Sequence, residues 1–176
     1  MSLKRVPPGS GARLKSEVLV IGCGQGPAGA GSVEIVGYKT SKGFCYAVDM
    51  PRLTRSEGGI CIPVNADWRM ICGKDHVCAN GAIGFAGNGR RFTFTSGQID
   101  PDVEGLVAVE PQGRSMIVRS RLSHKMGEEL GINPQIAFIA ALVQGCSASG
   151  IGLEWVKDGI RDQLTVPRIA PEGCEG

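Results

Sequence analysis

Cysteine is the residue type through which this chain could most readily do chemistry, because seven cysteines occur in 176 residues. They stand at Cys23, Cys45, Cys61, Cys72, Cys78, Cys146 and Cys174. A cysteine can form a disulfide, bind a metal ion as a thiolate, or act as a nucleophile. Each role needs different neighbours, so the spacing of the cysteines and histidines separates the three.

A metal site would have to use Cys61, Cys72, His76 and Cys78. Structural zinc sites usually take their ligands from two pairs, and the members of each pair lie two to four residues apart. Five residues separate Cys72 from Cys78, and no second pair follows. The spacing predicts no metal site, and His76 is expected to be an ordinary histidine at the start of a strand.

A nucleophilic thiol would be expected in the segment from Gly145 to Gly150, which is similar to the nucleophile segment of cell-wall peptidases with an Asp-Cys-Ser-Gly motif. Those enzymes need a helix that begins at the cysteine and a histidine further along the chain. Both histidines here, His76 and His124, precede Cys146. No catalytic residue is therefore predicted. A small enzyme that uses a cysteine or a metal, on a cell-wall or small-molecule substrate, stays the alternative interpretation.

A glycine motif follows the first apolar run, with Gly24, Gly26 and Gly29 spaced as in dinucleotide-binding proteins. That chemistry requires a helix immediately after the glycines, so that its N-terminal amides face the pyrophosphate. The chain instead continues into the strand-like sequence 32–36. The motif predicts a flexible hairpin loop, and no cofactor is expected.

Disulfides are the remaining interpretation of the cysteines. Cys45 and Cys61 lie on neighbouring predicted strands, and closing the loop between them would contribute about 3 kcal/mol by the chain-entropy model. Cys72 and Cys78 can close a short local loop. For the third bridge we expect Cys23–Cys146, with Cys174 free, although six cysteines allow about fifteen pairings and only the local pairs are strongly specified. Disulfides persist in oxidising compartments, which predicts an exported protein.

Composition excludes several classes of protein. The chain is 42% hydrophobic and 20% charged, which is ordinary for a globular domain. Its net charge is +2 without a basic face, so neither nucleic acid nor an anionic membrane is expected as a partner. No apolar run approaches the roughly 20 residues needed to cross a bilayer, so no membrane span is predicted.

Period-two alternation and glycine-bearing turns predict short strands over most of the chain. They are expected at 17–21, 32–38, 44–49, 60–62, 76–85, 90–95, 103–110, 115–122, 135–143 and 151–156. Asn88-Gly89 is the strongest hairpin signal. One short helix is predicted at 123–130, between Ser123 as N-cap and Gly131. Residues 51–59 are expected to form a polar loop, Trp155 to lie in the core, and Asp100 and Asp102 to be solvated.

These elements predict an all-β fold: an antiparallel β-sandwich, immunoglobulin-like or related, stapled by disulfides and with at most one short helix. Residues 1–16 are expected to be a flexible tether, 17–162 the sandwich with a soft boundary at 96/97, and 163–176 an extended tail. Residues 1–3 and 175–176 look like cloning remnants. An export signal is therefore expected to have been removed from the expressed chain.

The central part of the chain resembles exported actinobacterial β-rich proteins of unknown function. The resemblance is carried by residues 33–39, 43–45 and 58–61, which show a strand ending in tyrosine, a turn, and two glycine-associated cysteines. Residues 97–103, 112–114 and 138–142 agree with the later part of the pattern. The resemblance spans about residues 30 to 160 and implies a secreted or cell-envelope location. It supplies no catalytic residue, and the Cys72–Cys78 and Cys146 regions depart from it.

The function predicted from these observations is that of a non-catalytic binding or scaffolding module at the cell surface. Asp67, Trp68 and Arg69 form the candidate binding surface, because a tryptophan between two charges in a cysteine-stapled loop can stack on a sugar or a protein. The expected partner is an unknown protein or glycan.

Overall fold

The computed structural model describes residues 13–27, 29–63, 72–73, 75–110, 113–146 and 149–170. A 3-10 turn at Pro51–Leu53 precedes β4, and the helix α1 (His124–Leu130) lies between β10 and β11. The strands, in chain order, are β1 (Leu19–Gln25), β2 (Ser32–Thr40), β3 (Gly43–Met50), β4 (Arg55–Ile62), β5 (Val77–Ala79), β6 (Ala82–Gly87), β7 (Arg90–Ile99), β8 (Glu104–Glu110), β9 (Gly113–Met116), β10 (Val118–Arg119), β11 (Ala137–Gln144), β12 (Ile151–Lys157), β13 (Ile160–Val166) and β14 (Arg168–Ala170).

The strands form three sheets, which we name by their place in the fold. The N-sheet has the order β1-β2-β3-β4, and the C-sheet has the order β13-β12-β8-β9. The central sheet has the order β10-β11-β7-β6-β14, and β5 pairs with β7 beside β6. The ladders are antiparallel except that β14 runs parallel to β6. The predicted fold class, all-β and antiparallel with disulfides and a short helix, is confirmed.

The central sheet is apolar on both faces because each face covers a separate core. On β11, Phe138 and Ala140 pack with residues of the N-sheet, whereas Ile139 and Ala141 pack with residues of the C-sheet. A strand buried on both faces reads as a continuous apolar run rather than an alternating one, as 137–143 does. The central sheet therefore lies between the N-sheet and the C-sheet, with one apolar core on each of its faces.

The predicted turns have the expected backbone. Asn88 and Gly89 have φ of 51° and 70° between β6 and β7, the two positive values that a tight hairpin turn needs. Ser123 Oγ accepts a hydrogen bond from Met126 N at 3.2 Å and caps α1, and Gly131 ends the helix with φ 69°. Gln25 pairs with Ser32, so the glycine motif belongs to a hairpin, as predicted.

Other predicted boundaries change because a neighbouring strand offers a partner. The polar stretch 51–59 is not all loop: from Arg55 it forms the start of β4, which pairs along β3. The tail beyond residue 163 is extended up to Ala170, but as paired strands, since β13 forms a hairpin with β12. Both residues of the predicted soft boundary, 96 and 97, lie inside β7, which joins the two halves of the chain. In the predicted tether, Leu14 bridges to Thr40, and residues 1–12 lie outside the described ranges.

Two predicted disulfides are confirmed: Cys45–Cys61 links β3 to β4, and Cys72–Cys78 links the segment before β5 to β5 itself. The predicted pairing Cys23–Cys146 is wrong, because Cys23 is free and exposed whereas Cys146 is disulfide-bonded. Cys174, predicted to be free, lies outside the described residues.

Strand alternation explains the state of Cys23. Its neighbours on β1 face the central sheet: a Cβ added at Gly22 would lie 2.9 Å from Arg119 O, and one at Gly24 would lie 2.7 Å from Val118. Successive side chains of a strand point to opposite faces, so the thiol of Cys23 is directed to solvent.

The disulfides indicate an oxidising, extracytoplasmic environment. Within the described part of the chain, no helix has the length and apolar character to cross a membrane.

Candidate functional site

A cleft of about 390 Å³ opens where the central sheet and the C-sheet diverge. We call it the β5–β13 cleft. Its walls are residues 75–79 on one side and 162–167 on the other, with Trp155 between them. Small-ligand sites commonly have volumes of about 300–1,000 Å³, so the space suits a small ligand or a short segment of chain.

The path of the chain after β13 explains why the cleft opens here. The chain crosses from the C-sheet to the central sheet at Pro167, whose carbonyl accepts a hydrogen bond from Ala82 N at 2.9 Å. Beyond that point β14 covers the edge of β6. Since β5 and β6 both pair with the same side of β7, β14 fills one part of this sheet edge and leaves the part along β5 to the cleft.

On β5, the backbone N–H and C=O groups of two residues point toward the cleft. Asp100 N donates to His76 O at 2.8 Å and Asn80 N donates to Ser96 O at 2.9 Å, so His76 and Asn80 belong to the bonded pairs of the ladder with β7. In an antiparallel ladder bonded and non-bonded pairs alternate, so the N–H and C=O groups of Val77 and Ala79 point away from β7. Among the described residues, no group is hydrogen-bonded to them on that side.

The opposite wall is the edge strand of the C-sheet. Asp158 and Gly159, with φ of 51° and 77°, form a two-residue turn, which makes Lys157 and Ile160 the bonded closing pair of the hairpin. By alternation along β13, the backbone groups of Gln163 and Thr165 point away from β12. Gln163 N donates to Asp162 Oδ1 at 2.8 Å, so a side chain already protects part of this edge.

Trp155 lies between the two walls. Its side chain is 6% exposed and packs in the core between the central sheet and the C-sheet, as the sequence predicts. Its indole Nε1 is buried, and no described group accepts its hydrogen bond. A buried donor without an acceptor is costly, so an acceptor brought into the cleft would relieve it.

A charged cluster supports the same wall at the start of β5. Asp100 is 2% exposed, and its Oδ2 lies 3.0 Å from His76 Nδ1 and 3.6 Å from Lys157 Nζ, while its Oδ1 accepts Asp102 N at 3.0 Å. The expectation that Asp100 is solvated is therefore wrong. Asp100 directly follows β7, which is paired on both sides. Its carboxylate accepts a hydrogen bond from the backbone of the turn that it begins.

The protonation of the cluster follows from these contacts. Burial would raise the pKa of Asp100, but the Asp102 N–H, the His76 ring and the Lys157 ammonium outweigh it and hold the pKa below its ordinary value. Burial likewise lowers the pKa of Lys157, and the carboxylates of Asp102 and Asp100 reverse that effect and raise it. Asp100 and Lys157 are thus held as an ion pair at neutral pH.

Arg119 fixes the turn that carries Asp100. Its guanidinium donates to Val103 O and to Pro101 O, both at 2.7 Å. Burial is the largest cause that lowers the pKa of Arg119 below its ordinary value, followed by the neighbouring Arg121. The turn is held from both sides, by Asp100 from within and by Arg119 from β10.

The predicted binding residues Asp67, Trp68 and Arg69 lie outside the described residues. The cleft could not be predicted from the sequence, because its walls are separated by more than eighty residues and meet only through the crossing of the chain at Pro167. Asp100, spaced like a turn residue before Pro101, was a local signal that could have suggested a buried cap. Within the described ranges, no group of three or more histidine, cysteine, aspartate or glutamate side chains could hold a metal ion.

A second depression, of about 460 Å³, lies on the C-sheet alone, between β8, β12 and β13. It is bounded by one sheet, whereas the β5–β13 cleft is enclosed by two sheet edges that direct backbone groups into it. Comparison with protein families, with curated proteins and with solved structures finds no match to this chain.

Proposed function

We propose that the protein is a non-catalytic, exported binding module that holds its ligand in the β5–β13 cleft. The observation that carries the proposal is the combination of a cleft of about 390 Å³ with a buried indole N–H that lacks an acceptor among the described residues. The disulfides fit a secreted or cell-envelope protein that is stabilised by cross-links.

The two tryptophans of the chain allow a direct test between the cleft and the surface predicted from the sequence. Trp68→Phe leaves Trp155 as the only tryptophan, and Trp155→Phe leaves Trp68. Each variant is titrated with soluble glycans, cell-wall fragments and short peptides, and its tryptophan fluorescence is recorded. We expect a saturable change in the Trp68→Phe protein, because Trp155 lines the cleft. A change seen only in the Trp155→Phe protein would move the site to Asp67, Trp68 and Arg69.

The alternative is a small enzyme that uses a cysteine or a metal, and the pairing of His76 with Asp100 is the observation that favours it. A carboxylate that orients a histidine is an arrangement used in general-base catalysis. Zinc analysis and thiol titration of the folded protein separate the two functions. One free thiol and no stoichiometric zinc support the binding module, whereas bound zinc or several free thiols would support the enzyme.

A further inference from the structure

The edge of the central sheet along β5 can accept one more strand. Along β6 the equivalent edge is already occupied by β14. Along β5 the N–H and C=O groups of Val77 and Ala79 point into the cleft, and those of Gln163 and Thr165 point out from β13. Unpaired strand edges are templates for pairing with another chain.

We infer that the ligand of the cleft is an extended peptide segment that adds to the edge of β5 through backbone hydrogen bonds and carries a basic side chain. The inference rests on the proposed function, since it names the class of ligand for the same site. Strand addition is a recurrent mode of peptide recognition, in which the main chain provides affinity and pockets for alternate side chains provide specificity.

The charge of the cleft favours a basic segment. Asp75 and Asp162 are exposed at its two rims, and both are carboxylates. A lysine or arginine of a bound strand would lie between them, and a backbone carbonyl of the same strand could accept the Trp155 indole N–H. A neutral glycan would satisfy the indole and could donate hydroxyl groups to the carboxylates, but it would bring no opposite charge to them.

The rival occupants are segments of the same chain and a second copy of it. Residues 171–176 carry Glu172 and Glu175, so their charge does not complement the rims. Residues 64–71 contain Arg69 and stand shortly before β5 in the sequence. We commit to a peptide from a partner protein because two facing edges and two carboxylates are presented together, and the other occupants are outcomes of the test.

The first experiment selects ligands from a displayed library of random eight-residue peptides against the folded full chain. We expect enrichment of segments that alternate apolar or β-branched residues with lysine or arginine. A synthetic copy of an enriched peptide is then N-methylated at one backbone amide after another. Methylation at alternate amides should weaken binding about three- to tenfold, the effect of losing one hydrogen bond, and methylation at the others should not.

A matched pair of variants tests the edge of β5 itself. Ala79→Pro removes the N–H that faces the cleft and leaves the ladder with β7 intact, because that N–H is not part of it. Ala79→Val introduces a side chain similar in volume to proline and keeps the backbone N–H. We expect Ala79→Pro to weaken the selected peptide about three- to tenfold and Ala79→Val to change its affinity less than about twofold. If Ala79→Pro does not fold, the N-methylated peptides provide the same test from the other side of the bond.

The charge is tested with Asp75→Asn and Asp162→Asn, and Glu128→Gln on α1 is the control, since its exposed carboxylate lies outside the cleft. Each of the two aspartate substitutions should weaken the binding of a lysine-bearing peptide and reduce the salt dependence of that binding. The control substitution should do neither.

Five outcomes would overturn the inference. Peptides that bind regardless of backbone methylation would exclude strand addition, and a dimer abolished by Ala79→Pro would identify a second copy as the occupant. If deletion of residues 64–71 is needed before any peptide binds, the occupant is the chain's own segment. Binding of glycans but not peptides at Trp155 would reject the inference and keep the proposed function, whereas no ligand at Trp155 would reject both.

Discussion

The cysteines of this chain differ in covalent state, because some form disulfides and one is a free thiol. Four of the seven pair with each other, Cys23 is free, and Cys146 is disulfide-bonded. Cys23 owes its exposed position to strand alternation, with glycines on both sides of it allowing β1 to lie against β10.

Among the cysteines that the structure describes, we predict one reactive thiol in the folded, unreduced protein. Maleimide labelling followed by peptide mapping should locate it on Cys23, and Cys23→Ser should abolish the labelling. Mapping without reduction should recover Cys146 in a disulfide-linked peptide and Cys23 in an unlinked one. A peptide linking Cys23 to Cys146 would contradict the assignment.

Asp100 should make the stability of the protein depend on acid. Its folded-state pKa lies below the unfolded value of about 3.9, so its contribution to the free energy of unfolding is present above that value and is lost as the pH falls through the folded pKa. Asp100→Asn should lower the free energy of unfolding at pH 7 by about 1–3 kcal/mol, because a buried charged hydrogen bond is lost.

The measurement is denaturant unfolding at several pH values between 2 and 7, in the usual range for carboxylate titration. The Asp100→Asn curve should be flatter below about pH 4 than that of the unmodified protein. Asp102→Asn is the control, since that side chain is 77% exposed and its pair with Lys157 should contribute less than about 1 kcal/mol. An equal effect of both substitutions would contradict the role given to burial.

Elements of different sheets are tied together by Tyr46 of β3. Its hydroxyl accepts hydrogen bonds from Asn80 Nδ2 and from Gln98 Nε2 of β7, both at 3.0 Å, and its ring packs 4.6 Å from that of Phe138 on β11. Burial raises the pKa of Tyr46 to about 12, even against the hydrogen bond with Asn80, so the hydroxyl stays neutral. The N-sheet is thereby anchored to the strand that carries β5.

Two tyrosine substitutions separate this anchor from simple packing. Tyr46→Phe should lower the free energy of unfolding by about 1–3 kcal/mol, because it leaves the buried Gln98 amide without its acceptor. Tyr38→Phe should be close to neutral or stabilising, because the Tyr38 hydroxyl is buried and has no partner among the described residues. Denaturant unfolding measures both, and a reversed order would show that the hydrogen bonds to Tyr46 contribute nothing.

In the molecule as a whole, local sequence signals predict individual strands, turns and the helix, whereas pairing between distant segments determines how the strands assemble into sheets. Asn88-Gly89, Ser123 with Gly131, and the Cys45 and Cys61 pair each encode their structure within a few residues or one loop, so they were predictable. The sheet partners of β11 were not, because a continuous apolar run indicates a buried strand without indicating which strands pair with it or which sheets cover it.

The candidate site depends still more on long-range pairing. Nothing near residue 77 indicates that β14 returns to cover β6 and stops short of β5, since that is decided by where β13 leaves the C-sheet. The tail after residue 163 reads as extended, which is correct, but extension alone does not reveal a partner eighty residues earlier.

The most direct test of the account is a ¹H–¹⁵N NMR titration of the full chain with a selected basic peptide. We expect the Trp155 indole resonance and the backbone amides of Val77, Ala79 and Thr165 to shift together and saturate at one equivalent, with slower hydrogen exchange at Val77 and Ala79. Saturable shifts that leave these four signals unchanged would contradict the claim that the β5–β13 cleft is the binding site.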